Sequence, residues 1–446
     1  MTSWFKVLSS FNAIVSWDRT RLRKGTTAET QTLWLIILMK FELSNKQRQY
    51  LGLDPIPTTW DKVTLKSDTY RPESIIYFDG DTLKRHIVST DKEYRENQYE
   101  ELTKDRRVFL PKTDKGKEKK LTGSVLESRH PIGVYFVADK FGDIFIGNHT
   151  TQTTFYSSRW ENLKGNQKEI TISESIDSFI SESTENHLKD IEEFKNARRK
   201  KVKFKAGDIF AFKINRTEYS FGRILLNVDL VRKNNLIPKR HGLFNLMGPP
   251  LLVTFFAHTS QSKKVDIDEL LKAPQLPSDF MMDNIVFYGE YEIIGHRALR
   301  DEDFEFPISY GQRLDREPYV FLQWGLIHVE KPIKEFNKYL EADNQNLPAD
   351  NPSRRIKNPY GYYGIGFRPH YDAIDIKNTI KNGGVFQFEK CSWYGSQFDL
   401  RNPTNNEIKS QIFKAFGLIA VGSYEDNREQ TKTIRTTDLL KRLEKE

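Results

Sequence analysis

The chain has a single cysteine, Cys391, in 446 residues. A lone thiol closes no internal disulfide, which excludes a cystine-stapled scaffold and makes a reducing, cytoplasmic compartment the expectation. Its neighbours (Phe388, Glu389, Lys390, Ser392, Trp393) carry no nucleophile signature, so a packed, idle thiol is expected. Long apolar runs are also missing. The longest, 33–39, is seven residues, where a membrane-spanning helix needs about 20. The basic stretch before it imitates a signal peptide, but Lys40, Phe41 and Glu42 follow instead of a small-residue cleavage site.

Local catalytic motifs are equally scarce. The nine histidines are scattered, and none form His-x-His or His-x-x-x-His. Such pairs place two ligands on one strand or helix turn and pre-organise a metal. Ligands can still converge from distant segments, so a metal-dependent hydrolase stays open as an alternative. No Gly-x-Ser-x-Gly elbow is present, and no phosphate loop ending in Gly-Lys-Ser/Thr. Gly361, Gly364 and Gly366 sit among Tyr360, Tyr362, Tyr363 and Phe367, which reads as a tight turn with aromatic packing. No catalytic residue, metal ligand or cofactor is therefore expected.

Charge is present in both signs. The net charge is +8, but residues 1–40 hold six basic and two acidic residues, half of that surplus. The nearly balanced remainder does not demand a polyanion, so nucleic acid is the weaker partner. Two runs stand out. Residues 195–205 contain seven basic residues: a solvated helix end, or a patch for an acidic partner or nucleic acid. Aromatics interleave poorly there, which argues against single-strand stacking. Residues 301–305 (Asp301, Glu302, Asp303, Phe304, Glu305) form an acidic knot: a solvated loop, or a docking site for a basic surface.

The patterning predicts an α+β, strand-rich, multi-domain protein with mostly antiparallel sheets and a connecting helix. Residues 1–38 show no sustained period and read as a non-functional extension before a fresh start at Met39. Ser44 is placed to cap a helix that ends at Gly52. The strand-rich part 39–172 offers a hairpin over 74–88 around Asp79-Gly80, a second around Phe141-Gly142, and an edge strand over 150–158. Helical spacing of Ile176, Phe179, Ile180, Leu188 and Ile191 marks 173–202 as a connector. Strands return over 203–332, at 209–214, 219–228, 251–257, 285–294 and 319–329, with a short helix at 266–271. The last unit, 333–446, begins with a polar linker over 342–359. It continues with a helix capped by Thr404 and Glu407 and stopped by Gly417, a strand over 418–421, and an amphipathic tail helix.

Within 203–332, Lys203-Phe-Lys-Ala-Gly-Asp-Ile-Phe-Ala-Phe-Lys-Ile214 and then Glu218-Tyr-Ser-Phe-Gly-Arg-Ile-Leu225 resemble the opening of the immunity protein 26 family. Tyr288-Gly-Glu-Tyr-Glu-Ile-Ile-Gly-His296 is similar to a later strand of that family, and Trp324-Gly-Leu-Ile327 to a late glycine-containing strand. The resemblance implies an intracellular bacterial protein that protects against a polymorphic toxin in interbacterial competition. It implies one partner, a cognate toxin domain, and no membrane. Some relatives carry a phosphotriesterase label, the source of the hydrolase alternative.

The residues also make physical sense without the family. Gly207 permits a tight turn into a strand, and Gly222 lets a neighbour approach closely. Arg223 is a forked donor that either pins a carboxylate inside the protein or contacts the partner. Partner contacts are expected at Asp301, Glu302, Asp303, Glu305 and Arg223, and at the aromatics Tyr362, Tyr363, Trp393 and Tyr394.

Overall fold

Seven strands follow one another as an antiparallel meander at the start of the computed structural model, which describes residues 41–104, 106, 115–117, 120–160, 170–312, 319–332, 373–391 and 396–444. They are β1 (Asp61–Leu65), β2 (Ser74–Asp79), β3 (Thr82–Ser89), β4 (Glu93–Leu102), β5 (Ile132–Asp139), β6 (Ile144–Asn148) and β7 (Thr153–Ser157). Gly80, at φ 55°, turns β2 into β3, and Gly142, at φ 84°, lies between β5 and β6. In β5, Val134, Phe136 and Ala138 alternate inward.

Helices α1 (Asn45–Tyr50), α2 (Ile172–Ser181) and α3 (His187–Lys195) cover this sheet. Ser44 and Gln47 form the capping box of α1. Phe179 of α2 packs on Tyr156 at 4.9 Å between ring centroids, and Phe194 of α3 on Phe155 at 5.3 Å. A charged cluster is sealed inside the same sheet. Glu96 of β4 is fully buried and accepts from Arg48 at 3.3 and 3.4 Å and from the Tyr94 hydroxyl at 2.5 Å, while the Arg85 Nε lies 3.4 Å away.

The second sheet has the order β11-β10-β9-β8-β12 and is antiparallel throughout. Its strands are β8 (Asp208–Lys213), β9 (Tyr219–Asn227), β10 (Pro250–Ser260), β11 (Asp279–Met282) and β12 (Glu292–His296). Interspersed are α4 (Val228–Lys233), α5 (Ile267–Leu270) and α6 (Asn284–Phe287). Both faces are covered. Phe210, Phe212 and Ile214 join Ile224, Val253 and Phe255 under α7 (Ala373–Lys381), whereas Ile209 and Ala211 join Phe221, Phe256 and Leu270 on the other face. The Phe210 ring lies directly over Gly222, where a Cβ would come within 2.4 Å of it.

A third sheet, β13 (Ile308–Gln312), β14 (Tyr319–Trp324) and β15 (Ile327–Pro332), packs with α8 (Asn406–Phe416), α9 (Tyr424–Gln430) and α10 (Thr436–Leu443). Their largest apolar cluster also takes in Leu225 and Leu226 of β9 and Leu252 of β10, so the second and third sheets share a core with the C-terminal helices. Trp324 is its hinge, 5.3 Å from the Phe413 ring and 5.2 Å from Tyr424.

Several elements differ from the sequence reading. Residues 285–294 are not one strand: α6 comes first, Gly289 (φ 78°) breaks the run, and only Glu292–His296 pairs with β8. Residues 319–329 are two strands reversed at Gly325. The 418–421 segment makes no ladder, because the Asn427 side chain satisfies both the N–H and the C=O of Ile419. The α8 helix is led not by Thr404 and Glu407 but by Asn402, whose side chain accepts from the Thr404 N–H above a short 3₁₀ turn. The 1–38 extension and the 342–359 linker lie outside the described residues.

Candidate functional site

The two longest motif segments of the sequence meet at one corner. Gly207, at φ 91°, opens β8, and its N–H donates to Ile224 O at 2.7 Å. A Cβ there would stand 2.4 Å from the Arg297 carbonyl, so only glycine lets the exit of β12 close over the start of β8. Asp208 then faces His296 across the ladder, and its carboxylate lies 2.8 Å from His296 Nδ1. The other Asp208 oxygen accepts from the Lys205 N–H at 2.8 Å. Asp208 is buried, whereas the His296 side chain is 39% exposed. Asp208 and His296 are 88 residues apart, and their pairing has no local signal beyond a glycine beside each.

Arg223 stands behind this corner. It is 2% exposed, opposite Ile209 in β8 and Thr254 in β10. One terminal nitrogen donates to the carbonyls of Arg297 and Ala298 at 2.9 and 3.1 Å, and the other lies 3.4 Å from the Asp303 carboxylate. Burial pulls the guanidinium pKa below its ordinary value, and Asp303 acts in the opposite direction.

The remaining acidic residues of 301–305 are held from three directions. Asp301 accepts from the Thr437 hydroxyl of α10 at 2.7 Å. Glu302 pairs with Arg300 at 3.1 Å. Glu305 accepts from the Ser278 N–H at 2.6 Å and from Arg401 at 3.0 and 3.1 Å, and Arg401 also grips buried Asp399 at 2.6 Å. The structure thus gathers Arg223, Asp301, Glu302, Asp303 and Glu305 into one clasp between the second sheet and the C-terminal helices. Tyr362, Tyr363, Trp393 and Tyr394 lie outside the described residues.

Among the described residues, no three of His, Cys, Asp and Glu are grouped to hold a metal ion. Several histidines are engaged locally: His187 with Tyr50 O (2.7 Å), His241 with Leu326 O (3.0 Å), His149 with Asn97 (3.0 Å) and His328 with Gln323 (2.8 Å). Burial lowers the pKa of His149 and of His241 to about 4. No described helix is long and apolar enough to cross a membrane.

Residues 205–318 match the family model of immunity protein 26. The matched span runs from Lys205, through the Asp208–His296 corner and Arg223, past the acidic knot. Comparison with curated proteins and with solved structures finds no match.

Proposed function

We propose that the chain is a cytoplasmic immunity protein that neutralises a cognate bacterial toxin by binding it stoichiometrically, without a cofactor. The observation that carries this reading is the family match over 205–318. Within that span the motif residues Gly207, Asp208, Arg223 and His296 build one ordered corner. On this reading 203–332 is the immunity-protein-26-like part, flanked by 39–172, the connector 173–202 and 333–446. Toxin contacts are proposed at Asp301, Glu302 and Glu305, which are exposed, and at Asp303 and Arg223 behind them. Tyr362, Tyr363, Trp393 and Tyr394 are proposed as aromatic anchors of the kind that dominate interface energies.

The test is a titration against the toxin domain encoded beside this chain's gene. Occlusion requires protection to scale with molar ratio and to level off near equivalence. Full protection at about a tenth of the toxin's concentration would require turnover and would overturn the binding mechanism.

A further inference from the structure

The basic run 195–205 is not a helix end. The α3 helix stops at Lys195, which is half-buried and ion-paired to Asp54 at 2.5 Å. From 197 to 205 the chain is an irregular, outstretched strip that links α3 to β8. Its exposure alternates: Lys201, Lys203 and Lys205 are exposed, while Val202, Phe204 and Ala206 turn inward. Phe204 packs against the cluster of Phe210 and Phe212.

The strip is pinned rather than loose. The Val202 N–H donates to Phe287 O at 2.8 Å, and the Lys205 N–H to Asp208. Gly289 leaves room for it, since a Cβ there would stand 3.0 Å from Lys200 Cδ and 3.4 Å from Val202 Cγ2. The Arg199 guanidinium lies over the Tyr288 ring at 4.4 Å. Among the described residues no carboxylate pairs with Arg198, Lys200, Lys201, Lys203 or Lys205. The result is a fixed row of exposed cations that runs into the Asp208–His296 corner.

We propose that this strip, 198–205, is a docking surface for an acidic face of a partner protein. The identity of that partner as the toxin rests on the immunity reading above; the surface itself does not. Alternate residues of an extended chain stand about 6.7 Å apart. That is close to the about 5–6 Å between the Cβ atoms of residues three or four apart on a helix, and it equals the spacing on a strand. A backbone already held in place loses little freedom on binding. Unpaired charge at its surface speeds encounter and rejects partners of like sign.

A protein suits the strip better than a nucleic acid for two reasons. The inward parity carries the aromatic Phe204, so no outward ring is offered for base stacking. The α3 helix, immediately before the strip, exposes Asp190, Glu192 and Glu193, carboxylates that would repel a phosphate backbone. A protein face with a complementary two-signed pattern meets both.

The test uses the full chain and two charge-matched triple variants, K201E/K203E/K205E in the strip and K239E/K264E/K414E at scattered exposed sites. The probes are labelled poly-glutamate and a random-sequence DNA duplex, read by fluorescence anisotropy at low ionic strength, where surface charge is least screened. The strip variant should bind poly-glutamate about tenfold more weakly than the parent, and the scattered variant within about threefold of it. The milder K201Q/K203Q/K205Q should show an intermediate loss with an unchanged melting temperature. Equal losses in both triple variants, no poly-glutamate binding by the parent, or tighter binding of duplex than of poly-glutamate would each overturn the proposal. Association with the toxin domain separates the two readings. A strip variant that associates at the parental rate, beside stoichiometric neutralisation, removes the docking surface and leaves the immunity reading intact. Protection far below equivalence removes the stoichiometric-binding mechanism of the proposed function, while the poly-glutamate result still decides the strip.

Discussion

The acidic run 301–305 and the basic run 195–205 are similar as strings of charge and opposite as structure. Asp301, Glu302, Asp303 and Glu305 each have a partner, drawn from β9, Arg300, Arg401, Ser278 and α10. In the basic run, Lys195 alone finds a carboxylate among the described residues. The reason is position. The acidic run lies where the second sheet, the third sheet and the C-terminal helices converge, so partners reach it from every side. The basic strip is held through its backbone and its inward side chains, Val202 N–H on Phe287 O, Lys205 N–H on Asp208 and Phe204 on the apolar cluster, and among the described residues no carboxylate pairs with its outward cations. Density of charge in a sequence therefore says little about availability; what surrounds each charge decides it.

The largest effect that could break this comparison is expected at Arg223. Arg223→Ala strips Asp303 of its buried partner and should cost about 3–5 kcal/mol in urea denaturation. A loss below about 1 kcal/mol would show that the acidic run is a solvated loop, no more committed than the strip.

Glu290 sharpens the contrast as a buried carboxylate that pairs with no cation among the described residues. It accepts from the Thr154 hydroxyl at 3.3 Å, and burial pushes its pKa up to about 7 from 4.5. The unfolded chain gives up this proton first, so the carboxyl favours the unfolded state increasingly as pH rises from 4.5 to about 7, and fully above that. Glu290→Gln should thus match the parent at pH 5 and exceed it at pH 8 by on the order of 2 kcal/mol in thermal or urea melts. The same gap at both pH values would exclude ionisation as its cause.

Smaller effects complete the series. Glu305→Gln weakens the Arg401 contact, half-exposed on the glutamate side, and should cost about 1 kcal/mol. Glu302→Gln and Lys203→Ala should each stay within about 0.5 kcal/mol, since both side chains are exposed. A substantial loss in Lys203→Ala would mean that the strip has a hidden structural partner.

Much of the architecture is legible in the sequence. The 79–80 and 141–142 turns, the two-sided apolar strand β8 and the left-handed stop at Gly417 all rest on local chemistry, and the structure places them as expected. Strand β4 is not legible, because Glu-Tyr-Arg-Glu-Asn-Gln-Tyr-Glu-Glu-Leu looks like surface. Its inward positions are Tyr94, Glu96 and Tyr99, and Glu96 is tolerated there only because Arg48 and Arg85 come from elsewhere in the chain to meet it. The site follows the same rule. Arg223 and the acidic residues are recognisable one by one, but the pairing of Asp208 with His296 depends on strand register and that of Arg223 with Asp303 on where the turn after β12 comes to lie, and no short window of sequence encodes either.

The cluster around Trp324 also sets a timetable for biosynthesis. Leu225 and Leu439 belong to the same apolar group although about 200 residues separate them. A ribosome adding about 5–20 residues per second releases β9 at least ten seconds before α10. Until α8 and then α10 are made, α4 is the one described helix of this cluster that Leu226, Leu252 and, once synthesised, Trp324 have for cover. Part of that apolar face therefore stays open to solvent until synthesis nears its end, the kind of surface through which incomplete chains aggregate.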